Sequence, residues 1–158
     1  MLLKFNIRVY GVLINDKEQV LVSDERIYKD NMEVTKFPGG GMELGEGPID
    51  CIIRECKEEL RADVEVVRHL YTTDFFQQSA FNDKDQIISI YYLIKTSSPL
   101  QVSVNNGNPV YPEKVSENFR FIDWDFLTPD IMTLPIDKIV VKILKNGGPF
   151  TKKDNMGH

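Results

Sequence analysis

Glu46, Glu55, Glu58 and Glu59 gather in one short segment behind the glycine turn Gly39-Gly40-Gly41, with Arg54 beside them. Like charges one helical turn apart repel by a few tenths of a kcal/mol per pair, so such a cluster weakens its own helix unless a cation offsets it. Arg54 compensates only part of that charge. Hard divalent cations such as Mg²⁺ take oxygen ligands, bind through one or two carboxylates plus substrate phosphates, and keep several waters. The cluster suits an ion of that kind. The glycines let the backbone turn sharply and approach a ligand closely, so a carbonyl of this turn is free to face the metal.

The element that must position these carboxylates is a helix over residues 48–60. At about 100° per residue, Glu55, Glu58 and Glu59 fall within one arc, and Ile49, Ile52, Ile53, Cys56 and Leu60 fall on the opposite one. One face packs and the other carries charge. Pro48 suits the first turn, where its missing N–H would be unpaired anyway, and Asp50 complements the positive end of the helix dipole.

These residues carry a resemblance. Gly40, five residues, Glu46, seven residues, then Arg54-Glu55-Cys56-Lys57-Glu58-Glu59-Leu60-Arg61-Ala62 resembles the Nudix box, G-x5-E-x7-R-E-U-x-E-E-x-G-U, and Phe37-Pro38-Gly39 looks like the family's entry to it. The spacing of Gly40, Glu46, Arg54, Glu55, Glu58 and Glu59 is kept in full. Arg61 stands where the family has glycine just past the helix, a position that often needs the left-handed conformation. Cys56 and Ala62 are smaller than the usual aliphatics but still apolar.

The resemblance implies an α/β fold, the Nudix-like α/β/α sandwich with a mixed β-sheet between helices, and a divalent-metal-dependent pyrophosphohydrolase. Its substrate would be a nucleoside diphosphate linked to another moiety, of the nucleotide sugar, ADP-ribose or nucleoside triphosphate class. Glu55, Glu58 and Glu59 would be metal ligands or base, the Gly39 carbonyl a further ligand, and Arg54 and Glu46 orienting partners. Which glutamate is base and which is ligand varies within the family. Mg²⁺ is the expected ion, with Mn²⁺ as the alternative. A nucleotide-binding Nudix-fold module without turnover is the other reading, and its hallmark would be lost box carboxylates; here they are intact.

The 158 residues, 42% hydrophobic and 27% charged, suit one compact domain over residues 1–148, with the polar 149–158 as a flexible tail. A formal net charge of −5 argues against a nucleic-acid partner, because nonspecific backbone affinity comes from Lys and Arg. The partner implied is a small phosphorylated nucleotide; a homodimer is compatible with the sequence. Cys51 and Cys56 lie about 140° apart around the proposed helix, badly placed for a disulfide. Both read as reduced, packed residues, which suits the cytoplasm. No segment approaches membrane-span length, and Lys4, Asn6 and Arg8 interrupt the apolar first residues, which therefore read as a strand rather than a signal peptide.

That strand, with Phe5, Ile7, Val9 and Gly11 alternating with Lys4, Asn6 and Arg8, turns at Asn15-Asp16 into a second, Gln19 to Val22. Residues 23–35 are polar and read as a loop, in which Arg26 and Lys29 are placed to meet a phosphate, although loop charges are mostly just solvated. Residues 64–70, 73–77 and 86–94 are rich in β-branched and aromatic residues and read as strands. Phe75 and the neighbouring aromatics are available to stack on a nucleobase, although strand aromatics more often serve the core. Residues 97–116 form a long connection, 119–124 a strand, and Ile136, Ile139, Val140, Ile143 and Leu144 an amphipathic helix ended by Asn146-Gly147. Glu117, just before its strand, is the candidate carboxylate outside the box.

Overall fold

The computed structural model of the chain describes residues 1–27, 31–105, 107–113 and 117–147. Lys29 and the tail 149–158 lie outside the described residues. The strands are β1 (Lys4–Leu13), β2 (Gln19–Ile27), β3 (Met32–Lys36), β4 (Gly39–Gly41), β5 (Val64–Thr72), β6 (Asp85–Thr96), β7 (Val104–Asn105) and β8 (Glu117–Asp123); the helices are α1 (Pro48–Leu60) and α2 (Pro135–Lys145). They form two four-stranded mixed sheets, β4-β1-β6-β5 and β3-β2-β8-β7, where the resemblance implies a mixed sheet between helices.

β1 is the strand on which both sides of the molecule meet. It pairs in parallel with β6 from Lys4↔Asp85 to Leu13↔Ile94, and antiparallel with β4 through Arg8↔Gly41, Val9↔Gly40 and Tyr10↔Gly39. Val9 and Leu13 belong to the core under α1, with Cys51, Ile52, Cys56 and Leu60. Tyr10, Val12 and Ile14 point the other way, into the core under α2, with Ile136, Val140, Val141 and Leu144. Burial on both faces is what puts the helices on opposite sides.

Four local expectations are corrected. β2 and β3 occupy most of the expected 23–35 loop, because its charges find cross-strand partners: Arg26 pairs with Glu33 at 3.0 Å, and buried Asp24 accepts from Thr35 Oγ1 and Arg120 Nε, each at 2.7 Å. Residues 73–77 are not a strand, with Phe75 and Phe76 exposed and only an isolated bridge, Gln78↔Gln86, nearby. The packed stripe of α1 is Cys51, Ile52, Cys56 and Leu60, while Ile49 and Ile53 are 47% and 41% exposed. Finally, the 97–116 connection includes the short strand β7.

α1 begins as its sequence dictates. Pro48 occupies the first turn, and the Asp50 carboxylate accepts from the Gly47 amide at 2.9 Å. It ends at Arg61, which takes the left-handed conformation, φ 50° and ψ 38°, as expected for the family's glycine position.

Candidate active site

Arg54 holds the box together. Its Nε and Nη2 donate to Glu46 Oε2 and Oε1 at 2.9 and 2.7 Å, its Nη2 also donates to the Gly41 carbonyl at 3.0 Å, and its Nη1 donates to Glu55 Oε1 at 3.1 Å and, more loosely, to Glu58. A planar guanidinium suits this forked pairing, which a point-charge lysine does not reproduce. The bonds from Arg54 hold the Glu46 carboxyl down to about 2. Glu46 also accepts from the Glu43 amide at 2.8 Å, so the loop before α1, strand β4 and α1 are tied through one side chain.

Glu55 and Glu59 lie behind the glycine turn. A Cβ at Gly40 would stand 2.5 Å from Glu55 Oε1, so only glycine admits this carboxylate so close to the strand. Gly39 has φ +146° and its amide donates to Glu59 Oε2 at 3.4 Å. Burial pushes the Glu59 carboxyl up to about 8; Lys36 opposes this, while Glu117 and Glu55 reinforce it. Glu117 is raised for the same reasons, burial first, with Lys36 against and Glu25 and Glu55 in favour. Glu58, with a side chain 60% exposed, looks outward from the same helix.

Two cations missed in the sequence stand here. Lys36 is 7% exposed, lies 3.6 Å from Glu25, and keeps its proton more firmly than a free lysine because Tyr10, Glu59, Glu117 and Glu25 outweigh the effect of its burial. Arg8 donates from Nε to Tyr10 Oη at 2.7 Å and feels the charge of Glu55. Lys36 directly precedes Phe37-Pro38, and Arg8 interrupts an apolar strand; both were legible as residues but not as neighbours, since the β1–β4 and β2–β3 registers that bring them in are long-range or fall in a stretch that reads as loop.

The remaining candidates fall elsewhere. Arg26 is engaged with Glu33 and the Pro112 carbonyl, and neither it nor exposed Phe75 lines the cavity beside the box. Phe81 does line it. Cys51 and Cys56 are free and buried, and burial first, then neighbouring carboxylates, pushes each thiol up to about 12, so both are packed and unreactive as expected.

Among the described residues, no three Asp, Glu, His or Cys side chains stand grouped as a ready-made metal site. Mg²⁺ does not need such a cage: one or two carboxylates, phosphate oxygens and waters complete its shell. Glu55 and Glu59, half-enclosed and repelling each other and Glu117, fit such an ion in donor chemistry and in their deficit of positive charge.

The NUDIX domain model matches residues 4–140. The chain belongs to the Nudix family. Its fold is similar to the E. coli ORF135 protein (TM-score 0.68, 14% identity, 91% of each chain covered) and to a MutT NUDIX hydrolase from Burkholderia pseudomallei (0.65, 16%, 89% of this chain and 97% of that one). It is also similar to a UDP-X diphosphatase (0.56, 16%, 93% of this chain and 66% of that one). No curated protein matches. Among the described residues, no helix of this Nudix protein is long and apolar enough to cross a membrane.

Proposed function

We propose that this chain is a divalent-metal-dependent pyrophosphohydrolase acting on a nucleoside diphosphate linked to another group. The observation that carries the reading is the juxtaposition of Glu55 and Glu59 behind the Gly39-Gly40 turn with Lys36 and Arg8 at the same place. Carboxylates alone repel a pyrophosphate; with a cation shared between them and the substrate, the same carboxylates become the reason it binds. Mg²⁺, or Mn²⁺ in its place, would be held by Glu55 and Glu59, with Glu58 and the Gly39 carbonyl as further donors. When bound it would neutralise phosphate oxygens and lower the pKa of a water. A box carboxylate not engaged as ligand accepts the proton of the attacking water, and Arg54, pinned by Glu46, fixes Glu55. Glu117 is the carboxylate outside the box that this reading adds. A cytoplasmic setting suits two free thiols.

The test is the appearance of the nucleoside monophosphate and its phosphorylated co-product from nucleoside triphosphates, nucleotide sugars, ADP-ribose and dinucleoside polyphosphates with Mg²⁺ or Mn²⁺, separated by chromatography. Turnover of at least one substrate is expected, and EDTA should abolish it. Full activity after exhaustive chelation would overturn the metal mechanism; binding without turnover across the panel would favour a nucleotide-binding module instead.

A further inference from the structure

α1 lies on one face of the sheet β4-β1-β6-β5, the face toward which Val9, Leu13 and Ile94 turn. A helix is about 10 Å across, whereas four strands span about 19 Å, so one helix covers roughly half of such a face. At the Leu13 end, Leu100, Val102 and Val104 pack against the core under α1; at the Lys4 end the face is open. Strand alternation from Val9 and Ile94 puts Leu3, Phe5, Ile7, Ile88 and Ile90 on it, with Ile7 in register opposite Ile88 and the Leu3 amide donating to the Lys84 carbonyl at 2.7 Å. Leu3 and Phe5 are 63% and 64% exposed, and the three isoleucines are half-buried.

Apolar side chains border this floor on both sides. Glu55 lies against Gly40 of the edge strand β4, so the flank of α1 turned away from it, which carries exposed Ile49 and Ile53 one turn apart, looks over β6. On the other side, residues 73–77 bond to β6 at Ser89 and Ile87 and hold exposed Phe75 and Phe76 between those bonds, beside Ile88. These four side chains, with Leu3 and Phe5, each leave on the order of 100 Å² to solvent, which together reaches the upper end of the roughly 300–600 Å² of the largest patch on a typical monomer. With the isoleucines of the floor, the area approaches the roughly 800 Å² per partner of a stable interface.

We propose that this face is covered by a second copy of the chain, in a two-fold dimer that sets the two α1 helices side by side and antiparallel. A two-fold interface is self-complementary, and this patch carries both halves of the fit: a projecting helix flank, and an open strip of sheet of the kind such a flank covers. No charged side chain belongs to the floor, so two copies with a formal net charge of −5 each meet where neither presents its carboxylates. Asp50 and Lys57, both exposed, lie two turns apart at the solvent edge of the Ile53 flank, Lys57 beside exposed Asp63 at 2.9 Å. Antiparallel helices bring Asp50 of one copy toward Lys57 of the other, which centres the two-fold axis beside Ile53, midway between them. The flank bearing Glu55 and Glu58 is the opposite one, so the box stays open to solvent in the dimer.

Sedimentation of the whole chain over a range of concentrations tests it. Twice the chain mass is expected at about 10 μM and above. Ile53→Glu, at an exposed position outside the core, should weaken dimerisation on the order of 100-fold or more, as for a charge buried without a partner. Under mild oxidation Ile53→Cys should cross-link copy to copy, while Phe126→Cys, more exposed but beyond β8, should not; Cys51 and Cys56 are buried and take no part. A chain that stays monomeric up to about 1 mM would overturn the proposal, and binding of that monomer to neutral phosphatidylcholine vesicles would assign the face to a lipid surface instead. A dimer that survives Ile53→Glu, or that cross-links through Phe126→Cys and not through Ile53→Cys, would place the contact elsewhere and overturn it equally. None of these readouts requires turnover, so the dimer and the hydrolytic reading fail separately.

Discussion

At the scale of single residues, Glu59 carries the sharpest conflict with its surroundings, a half-buried carboxyl pushed up to about 8 by its partial burial beside Glu117 and Glu55. Glu59→Gln removes a charge while keeping shape. If Glu59 is a metal ligand, kcat should fall on the order of 10²-fold and half-saturation should move to higher Mg²⁺, while melting of the metal-free protein is unchanged or improved because one buried charge is gone. Wild-type kinetics across a Mg²⁺ titration would remove Glu59 from the site. Glu117→Gln should reduce kcat and alter metal dependence, whereas Glu113→Gln, whose residue is exposed, should not; identical behaviour of the two would mean that the box supplies every catalytic carboxylate. The box residues were legible in the sequence because helical spacing makes their neighbours local. Lys36 and Arg8 were not, because each meets the box carboxylates only through pairing with a partner strand, and an isolated charge in a strand reads as solvent-facing.

At the scale of elements, α1 was legible to its last residue, from Pro48 at its start to the left-handed Arg61 at its end. Holding a non-glycine residue left-handed costs about 1–2 kcal/mol, and Arg61 is exposed, so little packing is lost on replacing it. Arg61→Gly should therefore raise unfolding stability by about 1 kcal/mol, measured by urea denaturation at fixed slope; a lower midpoint would show that the arginine side chain contributes more than its backbone costs. The expected strand over 73–77 failed for the opposite reason. Its aromatics carry high strand propensity, but the segment meets β6 only at its ends, where the Thr73 amide donates to the Ser89 carbonyl and the Gln77 carbonyl accepts from the Ile87 amide, and Phe75 and Phe76 between them are exposed outside the ladder. The stripe of α1 shifted from Ile53 to Cys51 because the Gly40 and Gly41 carbonyls lie against Cys51 Sγ, a contact that helical periodicity does not encode.

At the scale of the molecule, the core under α2 encloses an acid. Asp137 is fully buried, accepts from Tyr91 Oη, and is raised by burial from 3.8 to about 6, against the lowering effect of that bond. Between these values the folded protein keeps a proton that the unfolded chain has released, so this carboxyl contributes a stability that is full below about pH 4 and lost as pH rises to 6. The span corresponds to about 3 kcal/mol. Urea melts of wild type and Asp137→Asn at pH 4.5 and 7 check the sign: the variant should gain relative to wild type at the higher pH, and a gap independent of pH would mean that Asp137 does not titrate in this window. The α/β/α arrangement followed from the resemblance and the order of strands and helices from their periodicities, whereas the division into two sheets depends on pairings that no local pattern fixes. β1 shows what those pairings imply for assembly. Its antiparallel partner β4 follows within the same stretch of chain, but its parallel partner β6 begins only at Asp85, and closing so distant a pairing is slow because chain entropy is lost before contacts repay it. The glycine turn that cradles the box can thus form early on β1, while β6 arrives late, so a refolding intermediate would present the carboxylates of the box before the strand that walls them in has paired.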